Sequence, residues 1–93
     1  MYQLIIKPKA KKKFIKLQVK DKEKVLVILD KLKQNPYNLV LGYIKLAGTK
    51  RSYRIRIGKI RIIYELFKEE KIINVRLIDY RKTGTYKSSW IKI

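Results

Sequence analysis

Two alternating runs, split by a two-residue glycine turn, constrain this chain more than any other feature. Tyr53-Arg54-Ile55-Arg56-Ile57 alternates apolar with basic side chains, Gly58-Lys59 interrupts, and Ile60-Arg61-Ile62-Ile63-Tyr64-Glu65-Leu66 resumes the alternation. A period of two belongs to a half-buried strand. Glycine at the first of two turn positions favours a type II′ hairpin. That turn fixes a register: Ile57 faces Ile60, Arg56 faces Arg61, Ile55 faces Ile62, Arg54 faces Ile63 and Tyr53 faces Tyr64. One face is then wholly apolar or aromatic, with Tyr53, Ile55, Ile57, Ile60, Ile62 and Tyr64. The other face gathers Arg54, Arg56 and Arg61.

The remaining segments supply what this hairpin packs against. Tyr2 to Lys7 reads as a first strand, alternating at Tyr2, Leu4 and Ile6. Pro8 suits the first turn of a helix, where a missing N–H costs nothing. Ala10, Phe14 and Leu17 then form an apolar stripe on a lysine-rich helix. Asp21 is the predicted N-cap of a second helix, with Val25, Ile28, Leu29 and Leu32 as its buried face and Asn35-Pro36 as its stop. Residues 37–52 are a connector containing the short piece Ile44-Lys45-Leu46. After a polar turn at Lys68-Glu69-Glu70-Lys71, the β-branched run Ile72–Tyr80 reads as a central or well-covered strand, with no register fixed against Ile60–Leu66. Residues 81–86 are expected as a loop or bulged strand end, and residues 88–93 as a short tail carrying Trp90. The predicted class is α+β: an N-terminal strand, an αα-hairpin, then a three-stranded antiparallel meander forming a twisted sheet. A chain of 93 residues predicts one domain over residues 1–93.

Charge narrows the partner. Lys and Arg number 25 against 7 Asp and Glu, a net +18, and an excess of this size repels itself in the folded state. Nucleic acid, an anionic membrane surface and an acidic protein all fit. No apolar run approaches the ~18 residues that span a bilayer, and Leu4-Ile5-Ile6 is too short for a signal-peptide core. A cytoplasmic protein without membrane association is therefore expected. The basic residues are also segregated. All six arginines, Arg51, Arg54, Arg56, Arg61, Arg76 and Arg81, lie in the second half, and nine positive residues but no acidic one fall between Lys31 and Tyr64. Arginine is a planar fork that grips phosphate with parallel hydrogen bonds, which lysine cannot do.

Most catalytic devices are missing. The chain has no His and no Cys, hence no triad, thiol nucleophile or His-ligated metal, and its carboxylates show no clamp-like spacing. No metal, cofactor or small-molecule substrate is expected. What remains is arginine geometry. Like charges facing across strands are destabilising, and an anion between Arg56 and Arg61 converts that penalty into attraction. A phosphodiester fits both charge and geometry. Preplaced cations also stabilise the charge that builds on non-bridging oxygens during attack on phosphorus. The alternative is a merely solvated basic face.

The lysine-rich helical hairpin, the connector ending in Lys45-Leu46-Ala47-Gly48, the segment Tyr53–Tyr64 and a strand closing on Tyr80-Arg81 with Tyr86 shortly after together resemble the RelE/ParE superfamily of toxins. The resemblance covers Tyr2 to Tyr86, and Tyr53–Tyr64 is its most specific part. It implies a ribosome-dependent endoribonuclease that cuts mRNA in the ribosomal A site. The ribose 2′-OH attacks the adjacent phosphate and leaves a cyclic phosphate and a free 5′-OH. It further implies an acidic antitoxin as regulator, and contact with ribosomal RNA. On this reading Arg61, Arg81, Tyr86 and Arg56 form the catalytic set, with Tyr86 stacking on the target nucleotide. Arg54, Lys59, Arg51 and Tyr80 form the RNA-binding set. Tyr80 stands where many members carry His. Arginine is a poor general base because its pKa lies above about 12, which leaves Tyr80, Tyr86 or Lys59 as candidate bases. Two other readings are a ParE-like toxin directed at DNA gyrase and a non-catalytic RNA-binding protein.

Overall fold

The structure is a computed structural model and describes residues 1–81. Five strands form one mixed sheet: β1 (Gln3–Ile6), β2 (Ile44–Lys45), β3 (Ser52–Ile57), β4 (Ile60–Phe67) and β5 (Ile72–Tyr80), in the order β1-β5-β4-β3-β2. Two helices, α1 (Pro8–Ile15) and α2 (Val19–Gln34), separate β1 from the rest. The expected meander is present as β3, β4 and β5. It is widened at one edge by the two-residue β2, antiparallel to β3, and at the other by β1, parallel to β5. Trp90 and the expected loop through Tyr86 lie outside the described residues.

The hairpin has the register that its turn dictates. Ile57 pairs with Ile60, Arg56 with Arg61, Ile55 with Ile62, Arg54 with Ile63 and Tyr53 with Tyr64. Gly58 sits at φ +56, and Lys59 keeps the negative φ that the second position of a type II′ turn requires. The inward face is buried as the alternation requires: Ile55, Ile60 and Ile62 are fully buried and Tyr64 is 1% exposed. Ala10 of α1 and Leu17, in the link between α1 and α2, pack there with Val25, Leu29 and Leu32 of α2 and Ile73, Val75 and Ile78 of β5.

Strand β5 is central, between β1 and β4, which accounts for its β-branched run. Its pairing with β4 slips once. Ile63 pairs with Leu77 but Tyr64 pairs with Val75, so Arg76 is an extra, exposed residue in a bulge. The slip resets the alternation. Ile73 and Val75 point into the core on one side of it, and Ile78 does so on the other. Beyond Ile6, where β1 ends, α1 runs against the second half of β5, and Lys7 N–H donates to Val75 C=O at 2.9 Å.

One expectation about the helices is corrected. Helix α2 begins at Val19 with Gln18 in the cap position, and Asp21 lies within the first turn rather than at the N-cap. A carboxylate there still suits the positive end of the helix dipole, and the second role of Asp21 is described below. No helix among the described residues is long and apolar enough to cross a membrane. The burial pattern yields a contrast measurable by urea denaturation. Ile62→Ala, in the fully buried centre, is expected to cost about 2–5 kcal/mol, whereas Leu26→Ala, 55% exposed on α2, changes stability by less than about 0.5 kcal/mol.

Candidate active site: an arginine face on the outer side of the sheet

Because β3 and β4 alternate in register, the face opposite the core receives Arg54, Arg56 and Arg61 within three adjacent rungs. Arg56 and Arg61 are directly paired, and Arg54 lies two residues back on the same strand. Arg81 joins them from beyond β5. Its backbone N–H donates to Lys59 C=O at 2.6 Å and its guanidinium to Gly58 C=O at 3.2 Å, so it is pinned to the hairpin turn. The four cations feel one another. The pKa of Arg56 is lowered first by the charge of Arg54, then by desolvation, then by Arg81 and Arg61. The Nε–H groups of Arg54 and Arg61 are buried and have no hydrogen-bond partner among the described residues. Charged donors held in this state are prepared for an anion with several acceptor oxygens.

One carboxylate borders the cluster. Asp79 pairs across the ladder with Arg61, and its Oδ2 lies 3.5 Å from the Lys13 Nζ of α1. Neither residue was singled out from sequence. The isolated acid in a β-branched run was a signal, but placing it on this face requires the bulge at Arg76. On the same face Glu65 accepts from Asn74 at 2.9 Å and stands 3.8 Å from Arg76. Arg76 is thereby engaged away from the arginine cluster.

The sequence-derived residues separate into three groups. Arg54, Arg56, Arg61 and Arg81 converge. Lys59 and Tyr80 share with Gly58 and Arg81 a hollow of about 340 Å³ at the turn end of the sheet. Arg51 lies elsewhere: it precedes β3 at the end remote from the turn, with its guanidinium 4.8 Å above the Phe67 ring. Tyr86 lies outside the described residues.

Tyr80 borders the hollow, but its hydroxyl is committed. It donates to Asp21 Oδ2 at 2.8 Å and accepts from the Gln18 N–H at 3.1 Å, tying the end of β5 to the start of α2. The Gln18 hydrogen bond lowers the Tyr80 pKa. The bond to Asp21, burial and the carboxylate's charge outweigh it, and the net shift is upward. A raised pKa opposes the expected use of Tyr80 as a general base. Its geometry makes it the anchor that fixes where Arg81 leaves the sheet.

Comparison with known proteins places this architecture. The sequence profile of the family described as the ParE toxin of the type II toxin–antitoxin system parDE matches residues 4–83. The chain belongs to this RelE/ParE family of toxins. It is 39% identical over 62 residues to a Methanocaldococcus jannaschii protein named as a candidate RelE1 toxin, covering 66% of this chain and 68% of that one. Among solved structures it resembles the RelE–RelB complex of Pyrococcus horikoshii with a TM-score of 0.78 at 27% identity, covering 88% of this chain and 97% of the other. The isolated Escherichia coli RelE toxin gives the same TM-score of 0.78 at 21% identity, covering 99% and 97%, and shares the fold.

Two outcomes follow from the geometry. Arg56→Thr, which removes one member of the facing like-charged pair, is expected to raise the urea midpoint although it empties part of the site; sulfate at matched ionic strength should raise the Tm of the parent chain more than that of this variant. Tyr80→Phe should lower the midpoint at pH 7. Because the Tyr80 pKa is raised in the fold, its stabilisation is complete below its unfolded value near 10 and is lost as pH rises through the folded value. The gap between parent and Tyr80→Phe should therefore close under alkaline conditions.

Proposed function

We propose that this chain is the toxin of a toxin–antitoxin pair and acts as a ribosome-dependent endoribonuclease on mRNA. The supporting observation is the pairing of Arg56 with Arg61, beside Arg54 and Arg81, on a face where two guanidinium Nε–H donors have no partner among the described residues. The outward-facing cations receive the scissile phosphate. As the ribose 2′-oxygen attacks phosphorus, charge accumulates on the non-bridging oxygens, and Arg61 and Arg56 stabilise it more strongly than they stabilise the ground state. Arg81, fixed to the turn, holds the neighbouring phosphate or the leaving 5′-oxygen, and the bond to that oxygen breaks to leave a cyclic phosphate. Lys59 stands at the mouth of the hollow. Tyr86 stacks on the target nucleotide. No metal or cofactor takes part; Lys59 or Tyr86 in its deprotonated form, rather than the anchored Tyr80, accepts the 2′-OH proton, and the leaving 5′-oxygen takes its proton from water.

An acidic antitoxin fits as the controlling partner. The P. horikoshii relative was solved as a RelE–RelB complex, and a net charge of +18 speeds encounter with an oppositely charged chain. The same charge suits docking against ribosomal RNA in the A site. The family profile bears the ParE name, so a toxin acting on DNA gyrase is the second reading; the convergent arginines favour the first.

Inducible expression in a bacterium, with mapping of mRNA 5′ ends, tests the proposal. Growth arrest with cuts inside translated codons, abolished when translation is blocked, is the expected result. Arg61→Ala should lower the cleavage rate by about 10²–10³-fold, the scale for removing one transition-state donor, and restore growth with an unchanged circular dichroism spectrum. Full toxicity of that variant would remove Arg61 from the active site. Arrest without cuts would point to gyrase.

A further inference from the structure

The helix-side face of the sheet holds a second concavity, remote from the arginines. Tyr53 and Tyr64 are cross-strand partners on that face, stacked at 5.7 Å between ring centres and 18° between planes. Tyr43, just before β2, meets Tyr53 edge to face at 5.8 Å and 79°. Tyr37, after α2, closes the remaining side, and together they line a hollow of about 230 Å³. The Lys68 Nζ lies across its mouth, 5.9 Å from the centre of the Tyr37 ring. A neighbouring hollow of about 390 Å³ shares Tyr53 and Lys68 and adds Lys50 and Arg51, with Glu69 and Glu70 also on its rim.

Tyr64 is 1% exposed and lines the floor of the hollow, and no hydrogen bond joins its hydroxyl to another described residue. The pKa of Tyr64 is pushed up by burial and then by the nearby Tyr53 and Tyr43, and the stacked Tyr53–Tyr64 pair with Tyr43 edge-on to it forms one aromatic wall. A ligand that completes the site needs a flat face to lie against tyrosine rings and polar edge atoms to meet the hydroxyls. It also needs a negative charge to meet Lys68, Lys50 and Arg51. An aliphatic side chain lacks the edge atoms. A base within a duplex keeps its faces stacked and cannot enter.

We propose that the Tyr37–Tyr43–Tyr53–Tyr64 hollow binds one unpaired RNA nucleotide, with the base in the hollow against the aromatic wall and its phosphate against Lys68, Lys50 and Arg51. The site lies on the opposite face of the sheet from Arg56 and Arg61 and does not depend on whether the chain cuts RNA. Stacking of bases on aromatic rings beside a basic groove is how proteins hold single strands without reading sequence.

The test is a titration of the full chain, with ring-labelled tyrosine observed by NMR. The probes are adenosine 5′-monophosphate, inorganic phosphate and a single-stranded hexaribonucleotide. The nucleotide should move the Tyr43, Tyr53 and Tyr64 resonances, phosphate alone should not, and the hexamer should compete with the nucleotide. Tyr64→Phe, which keeps the ring and loses the hydroxyl, should weaken nucleotide binding by about tenfold, roughly the effect of one lost hydrogen bond in a site built to make it. Tyr37→Ala, at an exposed position, provides the same reading if the Phe variant does not fold. Arg61→Ala should leave these shifts unchanged even where it abolishes cleavage. The proposal is overturned if millimolar nucleotide leaves the three rings unmoved, if phosphate alone reproduces the shifts, or if Arg61→Ala removes them. Failure of the hexamer to compete, or equal binding of tryptophan amide, would overturn it in favour of a free-nucleotide or protein-docking pocket.

Discussion

Everything in this molecule depends on the phase of one hairpin. The turn at Gly58 sets which residues of β3 and β4 oppose one another, and the alternation then assigns every side chain to a face. Slipping β3 by one residue would send Ile55 to solvent and drive Arg54 into the core, and slipping β4 would do the same to Ile62, Tyr64 and Arg61. The hydrophobic effect that buries the isoleucines therefore also concentrates the arginines. The core has no reason to want Arg56 opposite Arg61, but burying Ile55 and Ile57 leaves those side chains nowhere else to go.

The site thus stores electrostatic repulsion that packing offsets. Arg54, Arg61 and Arg81 all act against Arg56, and the borderline acid, Asp79, is drawn towards Lys13 on α1. An anion binding here relieves repulsion as well as making contacts, so occupancy and stability are coupled. The anchor beneath behaves differently. Tyr80, Asp21 and the Gln18 amide form a neutral-to-anionic hydrogen-bonded junction on the helix side, and its work is positional. It joins two segments 59 residues apart in the chain and so decides where the backbone of Arg81 emerges.

The hairpin register was legible in the sequence because both determinants are local: a glycine at a turn position, and strict alternation on each side. The helical stripes were legible for the same reason, and Ala10, Leu17, Val25, Leu29 and Leu32 are buried. What escaped was non-local. The register of β5 depends on a bulge that no periodicity announces, and without it neither the outward Asp79 nor the inward Tyr80 can be placed. Local propensity makes Asp21 a cap, whereas its partner, Tyr80, lies in the last strand. The parallel pairing of β1 rests on four residues at an edge, too few for a pattern. Proximity in sequence groups Arg51 with the other arginines, yet it precedes β3 at the end of the hairpin remote from the turn. Tyr37 and Tyr43 sit in the connector, and nothing in the order of residues shows that they return to the β3–β4 pair.

The extra residue at Arg76 also governs how the chain can tolerate changes of length. A regular ladder through β5 would need one residue fewer between Val75 and Ile78. Losing either Arg76 or Leu77 can therefore be absorbed by straightening the strand, and Tyr80 and Arg81 keep their opposite faces. Gaining a residue anywhere from Ile78 to Tyr80 has no such outlet: it would turn the anchor outward and the arginine inward. The strand carries slack in one direction only, immediately upstream of the end that bears the anchor and Arg81. A single codon inserted there would take the candidate site apart while leaving the core composition untouched.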